Sequence, residues 1–230
     1  MALTRPTALL LDAGNTIVFL DHDVIAQISQ SHGGAAQASQ IERAERTAKV
    51  GYERGMTRGM SHEAGWQLYM RLLFQDLGLS EDQAGSATRE ARALHDEFNL
   101  WRRVPPGLPG ALEAAKAAGI RLGIISNSEG HLDALLARVG LLPHFELVVD
   151  SGKEGVRKPD PRIFEIATER LGVLPEDCLY AGDIPQVDVD GARAVGMQAV
   201  LIDALDHYPD YHEAPRFRST KALIEALGAT

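Results

Sequence analysis

Short apolar runs that stop abruptly at polar or turn-forming residues constrain this chain more than any other feature of its sequence. Runs of this length, bounded by turn residues, are typical of strands that are buried on both faces. They lie at residues 7–11, 121–126, 145–149, 178–182 and 199–202. Helical patterns follow the later runs, and strands that alternate with helices in this way predict a parallel, doubly wound sheet of the α/β class. In such a sheet, ligands bind at the carboxyl ends of the strands.

Residues 22–104 interrupt this alternation. The segment shows no convincing strand and several helical patterns. Residues 61–78 are the clearest of these, because apolar residues recur there at steps of three and four. We therefore expect a helical cap at 22–104, inserted into a catalytic core formed by residues 1–21 and 105–230. The polar, proline-containing segment 206–218 is expected to be a surface loop.

Several helix ends are marked by residues with known positional preferences. Gly140, Gly172 and Gly196 lie where the C-terminus of a helix favours a residue with positive φ. Ser80 and Gln83 have the spacing of a capping box, which opens a helix inside the inserted segment. These positions predict where helices begin and end.

Charge, cysteine content and hydropathy narrow the cellular setting. The formal net charge of −9 at pH 7 disfavours nonspecific attraction to nucleic acid or to an anionic membrane. A single cysteine, Cys178, excludes an internal disulfide framework and fits a reducing compartment. No apolar stretch reaches the length of a membrane span, and none has the flanks of a leader peptide. We expect a cytoplasmic protein without nucleic-acid or membrane partners, and the sequence sets no oligomeric state.

Polar side chains with matching chemistry follow several of the predicted strands. Because the carboxyl ends of parallel strands lie at one edge of a sheet, we expect these side chains to converge on one site. The set consists of Asp12, Ser126, Asn127, Lys158, Asp183 and Asp188.

The chemistry of this set is coherent. A carboxylate can attack an electrophile and form a covalent intermediate. Carboxylates grouped around one point repel each other unless a cation lies among them, and an all-oxygen site with waters suits Mg²⁺. A hydroxyl group, backbone N–H groups and a lysine ammonium can hold the oxygens of a phosphoryl group during transfer. The set therefore favours a metal-assisted reaction on a small phosphorylated molecule.

Four short patterns in this chain resemble the signatures of the haloacid dehalogenase-like (HAD) hydrolases. They are DAGNT at 12–16, SN at 126–127, KPDP at 158–161 and GDxxxxD at 182–188. They occur in the family's order, each near the end of a predicted strand. The helical insertion is similar to the C1-type cap of that superfamily. The resemblance implies a Rossmann-like core and hydrolase activity.

The family's residue roles carry over onto these matched positions. The resemblance implies an aspartyl nucleophile, Asp12, and a lysine, Lys158, that stabilises the nucleophile and the covalent intermediate. It implies that Ser126 and Asn127 contact the transferring group. The implied Mg²⁺ ligands are Asp12, the backbone carbonyl of Gly14 and Asp183, with Asp188 among or beside them.

The chain departs from the family pattern at Gly14. Most phosphatases of this superfamily carry a second aspartate at this position, which acts as general acid and then as base. A glycine carbonyl can still bind a metal ion, but the proton donor is missing, and general acid–base catalysis typically contributes about 10²–10⁴-fold. Asp21, His22 and Asp23 are the nearest candidate donors, although polar residues in such loops usually cap helices or face solvent.

Three functions follow from these observations. The expected one is a Mg²⁺-dependent phosphatase that acts on a small phosphorylated metabolite through an aspartyl-phosphate. A 2-haloacid dehalogenase is the second, since that branch also lacks the second aspartate, but it works without metal and is expected to lack Asp183. The third is a degenerate protein that binds a ligand or partner without turnover. Retention of Asp12, Lys158 and Asp183 argues against that reading.

Overall fold

The computed structural model describes residues 3–229, apart from the side chains at positions 38 and 57, as an α/β protein. Its strands are β1 (Ala8–Leu11), β2 (Phe19–Leu20), β3 (Trp101–Arg103), β4 (Arg121–Ser126), β5 (Leu147–Asp150), β6 (Cys178–Gly182), β7 (Gln198–Ile202) and β8 (Arg216–Phe217). Its α-helices are α1 (His22–Ser31), α2 (Ala38–Thr57), α3 (His62–Asp76), α4 (Glu81–Glu97), α5 (Leu108–Ala117), α6 (Leu132–Arg138), α7 (Ser151–Glu154), α8 (Pro161–Leu171), α9 (Asp190–Ala194) and α10 (Thr220–Ala226). Among the described residues, no helix combines the length and the apolar character needed to cross a membrane.

A six-stranded parallel sheet forms the centre of the core. Its strand order is β5-β4-β1-β6-β7-β8, and every neighbouring pair is parallel. β1 lies between β4 and β6, and each of its residues is fully buried. Helices flank the sheet; α8 packs against it through Ile163, Phe164 and Ala167. The predicted doubly wound α/β fold is confirmed.

The helix-end predictions are also confirmed. Gly140, Gly172 and Gly196 have φ angles of 77°, 64° and 90°, which an L-residue with a side chain rarely adopts. Ser80 and Gln83 form a capping box at the start of α4. Backbone conformation at these points follows from local chemistry, which explains why the sequence is informative there.

Two expectations about strands are wrong. The inserted segment 22–104 was expected to contain no strand, but β3 lies at its end and pairs with β2 in a separate two-stranded sheet. The polar segment 206–218 was expected to be a surface loop, but it ends in β8, at the edge of the main sheet. Both strands are two or three residues long and carry arginines, so they lack the apolar pattern that identifies a buried strand.

The chain divides into two compact units. The first comprises residues 1–19 and 101–230, and the second comprises residues 20–100. The first contains the main sheet and its flanking helices, and the second contains α1 to α4. These boundaries lie within a few residues of those expected from the sequence, while the catalytic core and cap roles remain predictions.

The helical unit has its own apolar core. One face of α3 is buried through Trp66, Tyr69, Met70, Leu73 and Phe74. These residues recur at steps of three and four, so that a single stripe on the helix faces the interior. The bulk of Trp66 and Tyr69 thus stabilises this unit.

A buried polar group lies inside the same unit. The Glu45 carboxylate contacts His22 Nε2 at 2.6 Å and accepts a hydrogen bond from the Tyr69 hydroxyl at 3.2 Å. Glu45 is almost fully buried. These partners satisfy a charge that would be costly to bury alone.

Candidate active site

The register of the central strands places the polar residues at one edge of the sheet. Leu11, the last residue of β1, is level with Ile124 on β4 and with Ala181 on β6. Asp12 follows Leu11 directly and donates its backbone N–H to the Ala181 carbonyl at 2.8 Å. Ser126 ends β4 and Asp183 follows β6. The three central strands therefore end around Asp12.

A tight turn follows Asp12. The backbone N–H of Val18 bonds to the Ala13 carbonyl at 3.0 Å, and that of Asn15 bonds to the Val18 carbonyl at 2.8 Å. Asn15 closes this turn with a φ of 53°, a conformation that Asn tolerates better than most residues. A Cβ added at Gly14 would lie 3.9 Å from Trp101 Cδ1, which is an ordinary contact.

Lys158 links the carboxylates of Asp12 and Asp188. Its Nζ donates to Asp12 Oδ1 at 2.7 Å, to Asp188 Oδ1 at 2.6 Å and to the Tyr180 hydroxyl oxygen at 2.7 Å. An ammonium group has three N–H donors, and these three partners use all of them. Burial alone would lower the pKa of Lys158, but the charges of Asp12 and Asp188 outweigh it and raise that pKa. The two carboxylates therefore favour the cationic form of Lys158.

Tyr180 is part of the site, and the sequence reasoning missed it. Its hydroxyl accepts from Lys158 and lies 3.0 Å from the Ile125 carbonyl and 3.2 Å from Asp188 Oδ1, the two acceptors for its single proton. Burial, with the charges of Asp188 and Asp12, raises the pKa of this phenol well above 10.0, so the hydroxyl stays neutral. Tyr180 lies within the apolar run of β6, so the hydropathy pattern gives no sign of a polar role. The signal that could have identified it is that a buried tyrosine hydroxyl requires a hydrogen-bond partner.

Asp188 lies against the end of β6. Its Oδ2 accepts the backbone N–H of Ile184 at 2.9 Å, while its Oδ1 accepts from Lys158. A Cβ at Gly182 would lie 2.3 Å from Asp188 Cγ, so glycine is required for this close approach. Asp190, two residues further along the chain, is exposed on α9.

Asp12, Asp183 and Asp188 form a buried group that could hold a metal ion. One carboxylate oxygen from each lies within 4.8 Å of the others, and all three residues are no more than 7% exposed. Burial raises the pKa of Asp12 from 3.8 to about 6; Lys158 opposes this rise, whereas Asp188 and Asp183 add to it. The site thus combines three carboxylates with one ammonium, that of Lys158. The oxygen ligands and the excess of negative charge fit a hard divalent cation such as Mg²⁺.

Asp183 is oriented by a short chain of hydrogen bonds. The side-chain amide of Asn15 donates from Nδ2 to Asp183 Oδ2 at 3.2 Å. The indole of Trp101 donates from Nε1 to Asn15 Oδ1 at 3.2 Å. Neither Asn15 nor Trp101 was singled out from the sequence.

Ser126 and Asn127 lie at the same edge. Asn127 bonds to the backbone of Lys158 twice, from Nδ2 to the carbonyl at 3.0 Å and through Oδ1 to the N–H at 2.8 Å. These bonds join the loop after β4 to the loop that carries Lys158. Ser126 is buried at the end of β4. Contact of either residue with a substrate remains a prediction.

Asp150, also missed from the sequence, shapes the loop after β4. Its buried carboxylate accepts the backbone N–H groups of Gly130 at 3.0 Å, Leu132 at 3.0 Å and Gly152 at 2.9 Å. A carboxylate that accepts several backbone N–H groups is stable when buried. Only the folded register, in which Asp150 is level with Ser126, indicates this role.

The three candidate proton donors lie at the start of α1. Asp21 caps this helix and accepts the backbone N–H of Val24 at 3.3 Å. His22 is paired with Glu45, and Asp23 is exposed. The helix-cap interpretation of Asp21 is confirmed, and a proton-donor role for any of the three remains a prediction.

Comparisons with known proteins agree with this geometry. A family model described as a hydrolase, haloacid dehalogenase-like, matches residues 6–196. The haloacid dehalogenase-like hydrolase domain-containing protein 3 of Mus musculus is 30% identical, over 95% of this chain and 94% of its own. A phosphoserine phosphatase of Thermus thermophilus is 41% identical over 126 residues, 53% of this chain, and the match spans only 51% of that relative's length.

A solved structure shows the same fold. The HAD phosphatase of Thermococcus onnurineus has a TM-score of 0.63 and 25% sequence identity, over 96% of this chain and 98% of that one. Sheet order, buried carboxylates, family model and relatives agree. The chain therefore belongs to the haloacid dehalogenase-like hydrolases.

Proposed function

We propose that this hydrolase is a Mg²⁺-dependent phosphatase that acts on a small phosphorylated metabolite through an aspartyl-phosphate on Asp12. The observation that carries the proposal is the meeting of Asp12, Asp183, Asp188 and Lys158 at the carboxyl edge of the sheet. A relative named as a phosphatase supports the same reaction class.

Each of three residues has a separate role in the proposed reaction. The Asp12 carboxylate attacks phosphorus and forms an acyl phosphate while the bond from phosphorus to the leaving oxygen breaks. Lys158 donates to Asp12 Oδ1 and fixes the rotation of that carboxylate. Ser126 and the backbone N–H groups of the following loop would hold the transferring oxygens. Water then cleaves the acyl phosphate and regenerates Asp12.

The metal site uses the carboxylates already described. Asp12 and Asp183 would hold Mg²⁺, with the Gly14 carbonyl as a third protein ligand. Bound there, the cation would neutralise the charge that develops on the phosphoryl oxygens. Asp188 already accepts from Lys158 and from the Ile184 N–H, so it acts beside the ligand set by holding Lys158.

Gly14 restricts the leaving group. No side chain at this position can protonate a departing alkoxide, so a sugar phosphate would react slowly unless another residue supplies the proton. Aryl phosphates, acyl phosphates and phosphoric anhydrides leave without that help. Alanine variants at Asp21, His22 and Asp23 identify a replacement donor: the true donor would be the one whose loss slows only poor leaving groups.

A dehalogenase is the second candidate, and the absence of an acid at Gly14 is the observation in its favour. Halide leaves without a proton, so a dehalogenase needs no residue there. The buried Asp183, grouped with Asp12 and Asp188, favours metal binding and therefore the phosphatase.

A turnover screen separates these functions. p-Nitrophenyl phosphate, acetyl phosphate and a panel of phosphorylated metabolites are tested with and without Mg²⁺, next to 2-haloacids. Metal-dependent release of phosphate supports the proposal, and metal-independent release of halide replaces it with the dehalogenase. No turnover of either class, with ligand-induced thermal stabilisation, identifies a binding protein.

Asp12→Asn tests the nucleophile. We expect turnover to fall below detection, because an amide cannot form the acyl phosphate. Asp190→Asn, at an exposed position on α9, is the control and should keep the wild-type kcat. A wild-type kcat in Asp12→Asn would rule out the mechanism.

A further inference from the structure

We propose that Asn15 and Trp101 are positioning residues that hold the Asp183 carboxylate in the orientation needed to bind a divalent cation. The proposal rests on the metal site of the proposed function and adds two residues outside its ligand set. Both belong to the same structural unit as Asp183.

The hydrogen bonds define the direction of the chain. An indole N–H can only donate, so the atom of Asn15 that faces Trp101 must be its carbonyl oxygen. This leaves the Asn15 amide nitrogen facing Asp183, where it donates to Oδ2 at 3.2 Å. Trp101 therefore decides which end of the Asn15 amide is presented to the carboxylate.

The backbone of Asn15 supports this reading. With a φ of 53° the residue is left-handed, a conformation that glycine adopts at lower cost. An asparagine there has a conformational cost. Its Nδ2 bonds to Asp183 and its Oδ1 bonds to Trp101. The hydrogen bonds give the side chain a use that the turn alone does not require.

Trp101 lies beside the turn that contains Gly14. A Cβ added at position 14 would lie 3.9 Å from Trp101 Cδ1, an ordinary contact, so the indole is a direct neighbour of the turn that follows Asp12. The same short turn thus places Asp12, Asn15 and the Trp101 ring together at the end of β1.

Fixing a carboxylate before a cation arrives lowers the conformational entropy lost on binding. Residues that hydrogen-bond to a metal ligand typically change metal affinity by about 10–100-fold when removed. We expect Asn15→Gly to weaken Mg²⁺ binding within that range. Glycine relieves the left-handed backbone, but it also removes both hydrogen bonds of the Asn15 amide, so the melting temperature reports fold stability separately from Mg²⁺ affinity. A purely structural role would predict a lower melting temperature with unchanged Mg²⁺ affinity.

Trp101→Phe keeps an aromatic ring but removes the indole N–H donor together with part of the ring. We expect a smaller loss of Mg²⁺ affinity, on the order of fivefold, because one neutral hydrogen bond disappears. Trp66→Phe is the matched control: Trp66 Nε1 is buried without a hydrogen-bond partner, so the same substitution removes no bond. Its Mg²⁺ affinity should equal that of the wild type.

The double variant tests the order of the chain. If Trp101 acts through Asn15, Asn15→Gly with Trp101→Phe should bind Mg²⁺ as weakly as Asn15→Gly alone. Independent, additive losses would show that Trp101 does not act through Asn15 and would overturn the relay.

Isothermal titration of the full chain with MgCl₂, with Asp183→Asn as the ligand-loss reference, provides the measurement. Tryptophan emission gives a second readout, since Mg²⁺ should change the emission of the wild type and of Trp66→Phe but not that of Trp101→Phe. Wild-type Mg²⁺ affinity in Asn15→Gly overturns this inference alone. Failure of the wild-type chain to bind Mg²⁺ overturns the metal site of the proposed function, and this inference with it.

Discussion

Gly14 is the single residue that most limits the chemistry of this site. It follows the candidate nucleophile, contributes no proton donor, and leaves room beside Trp101. Its φ lies outside the left-handed region, so a residue with a side chain fits its backbone. Lack of space therefore does not explain why position 14 carries no acidic side chain.

Gly14→Asp should restore the missing acid. We expect kcat/KM on alkyl phosphates, which are poor leaving groups, to rise by about tenfold or more, because general acid catalysis contributes about 10²–10⁴-fold when the acid is well placed. Activity on p-nitrophenyl phosphate should change little, since that leaving group needs no proton. Gly14→Asn, nearly the same size without an acidic proton, is the control. Equal activities of the two variants on alkyl phosphates would show that another residue already supplies the proton.

Tyr180→Phe tests the hydroxyl that contacts Lys158. Its loss leaves a Lys158 N–H and the Ile125 carbonyl without this partner, which should destabilise the fold by about 1–3 kcal/mol. We expect kcat to fall by roughly tenfold with KM little changed, because Lys158 would no longer hold Asp12 in one orientation. Urea unfolding and steady-state kinetics give the two quantities.

Tyr211→Phe is the matched control for Tyr180. The Tyr211 hydroxyl is buried without a hydrogen-bond partner, so its removal should be neutral or stabilising and leave kcat unchanged. A Tyr180→Phe variant that behaves like Tyr211→Phe would remove Tyr180 from the site.

At the scale of elements, the ends of three neighbouring strands carry the site, and the loops after them are tied to each other. Asn127 joins the loop after β4 to Lys158, and Asp150 at the end of β5 ties that same loop to α7. Catalytic groups placed on strand ends are held more precisely than groups on free loops. Because β1 lies between β4 and β6, Asp12 is held among the ends of three neighbouring strands.

Gly182→Ala tests the close approach between the end of β6 and Asp188. A Cβ there would lie 2.3 Å from Asp188 Cγ, so the carboxylate must move and its bond to Lys158 must lengthen. We expect loss of stability by about 1–3 kcal/mol, as in other overpacked sites, and a fall in kcat of tenfold or more. Gly110→Ala in α5, where nothing lies within 4 Å of an added Cβ, should instead be neutral or slightly stabilising. Wild-type kcat in Gly182→Ala would show that the position of Asp188 is unimportant.

Element prediction from the sequence succeeded where a pattern is local. Apolar runs in the sequence predict the buried strands β1, β4, β6 and β7, and an apolar stripe predicts α3. Strands β2, β3 and β8 have two or three residues each. Their pairing depends on a neighbour brought near by the fold, so no sequence pattern identifies them.

For the whole molecule, the excess of negative charge in the buried site links metal binding to stability. Mg²⁺ should raise the melting temperature, because a ligand that binds only the folded state at 100 times its Kd adds about 2.7 kcal/mol. Removal of Mg²⁺ with EDTA should reverse the effect. Asp183→Asn should melt at the same temperature with and without Mg²⁺, and a thermal shift that survives this substitution would place the cation elsewhere.

The sequence by itself determined the α/β class, the strands at the centre of the sheet, and the identity of the polar residues that end them, because these depend on local patterns of hydropathy and on short motifs. Only the tertiary structure decided which groups touch: Tyr180 lies in an apolar run, Asp150 ends a different strand, and Asn15 and Trp101 are 86 residues apart. The physical reason is that a buried polar group must find its partner in space. Parallel strands bring that partner from any distance along the chain.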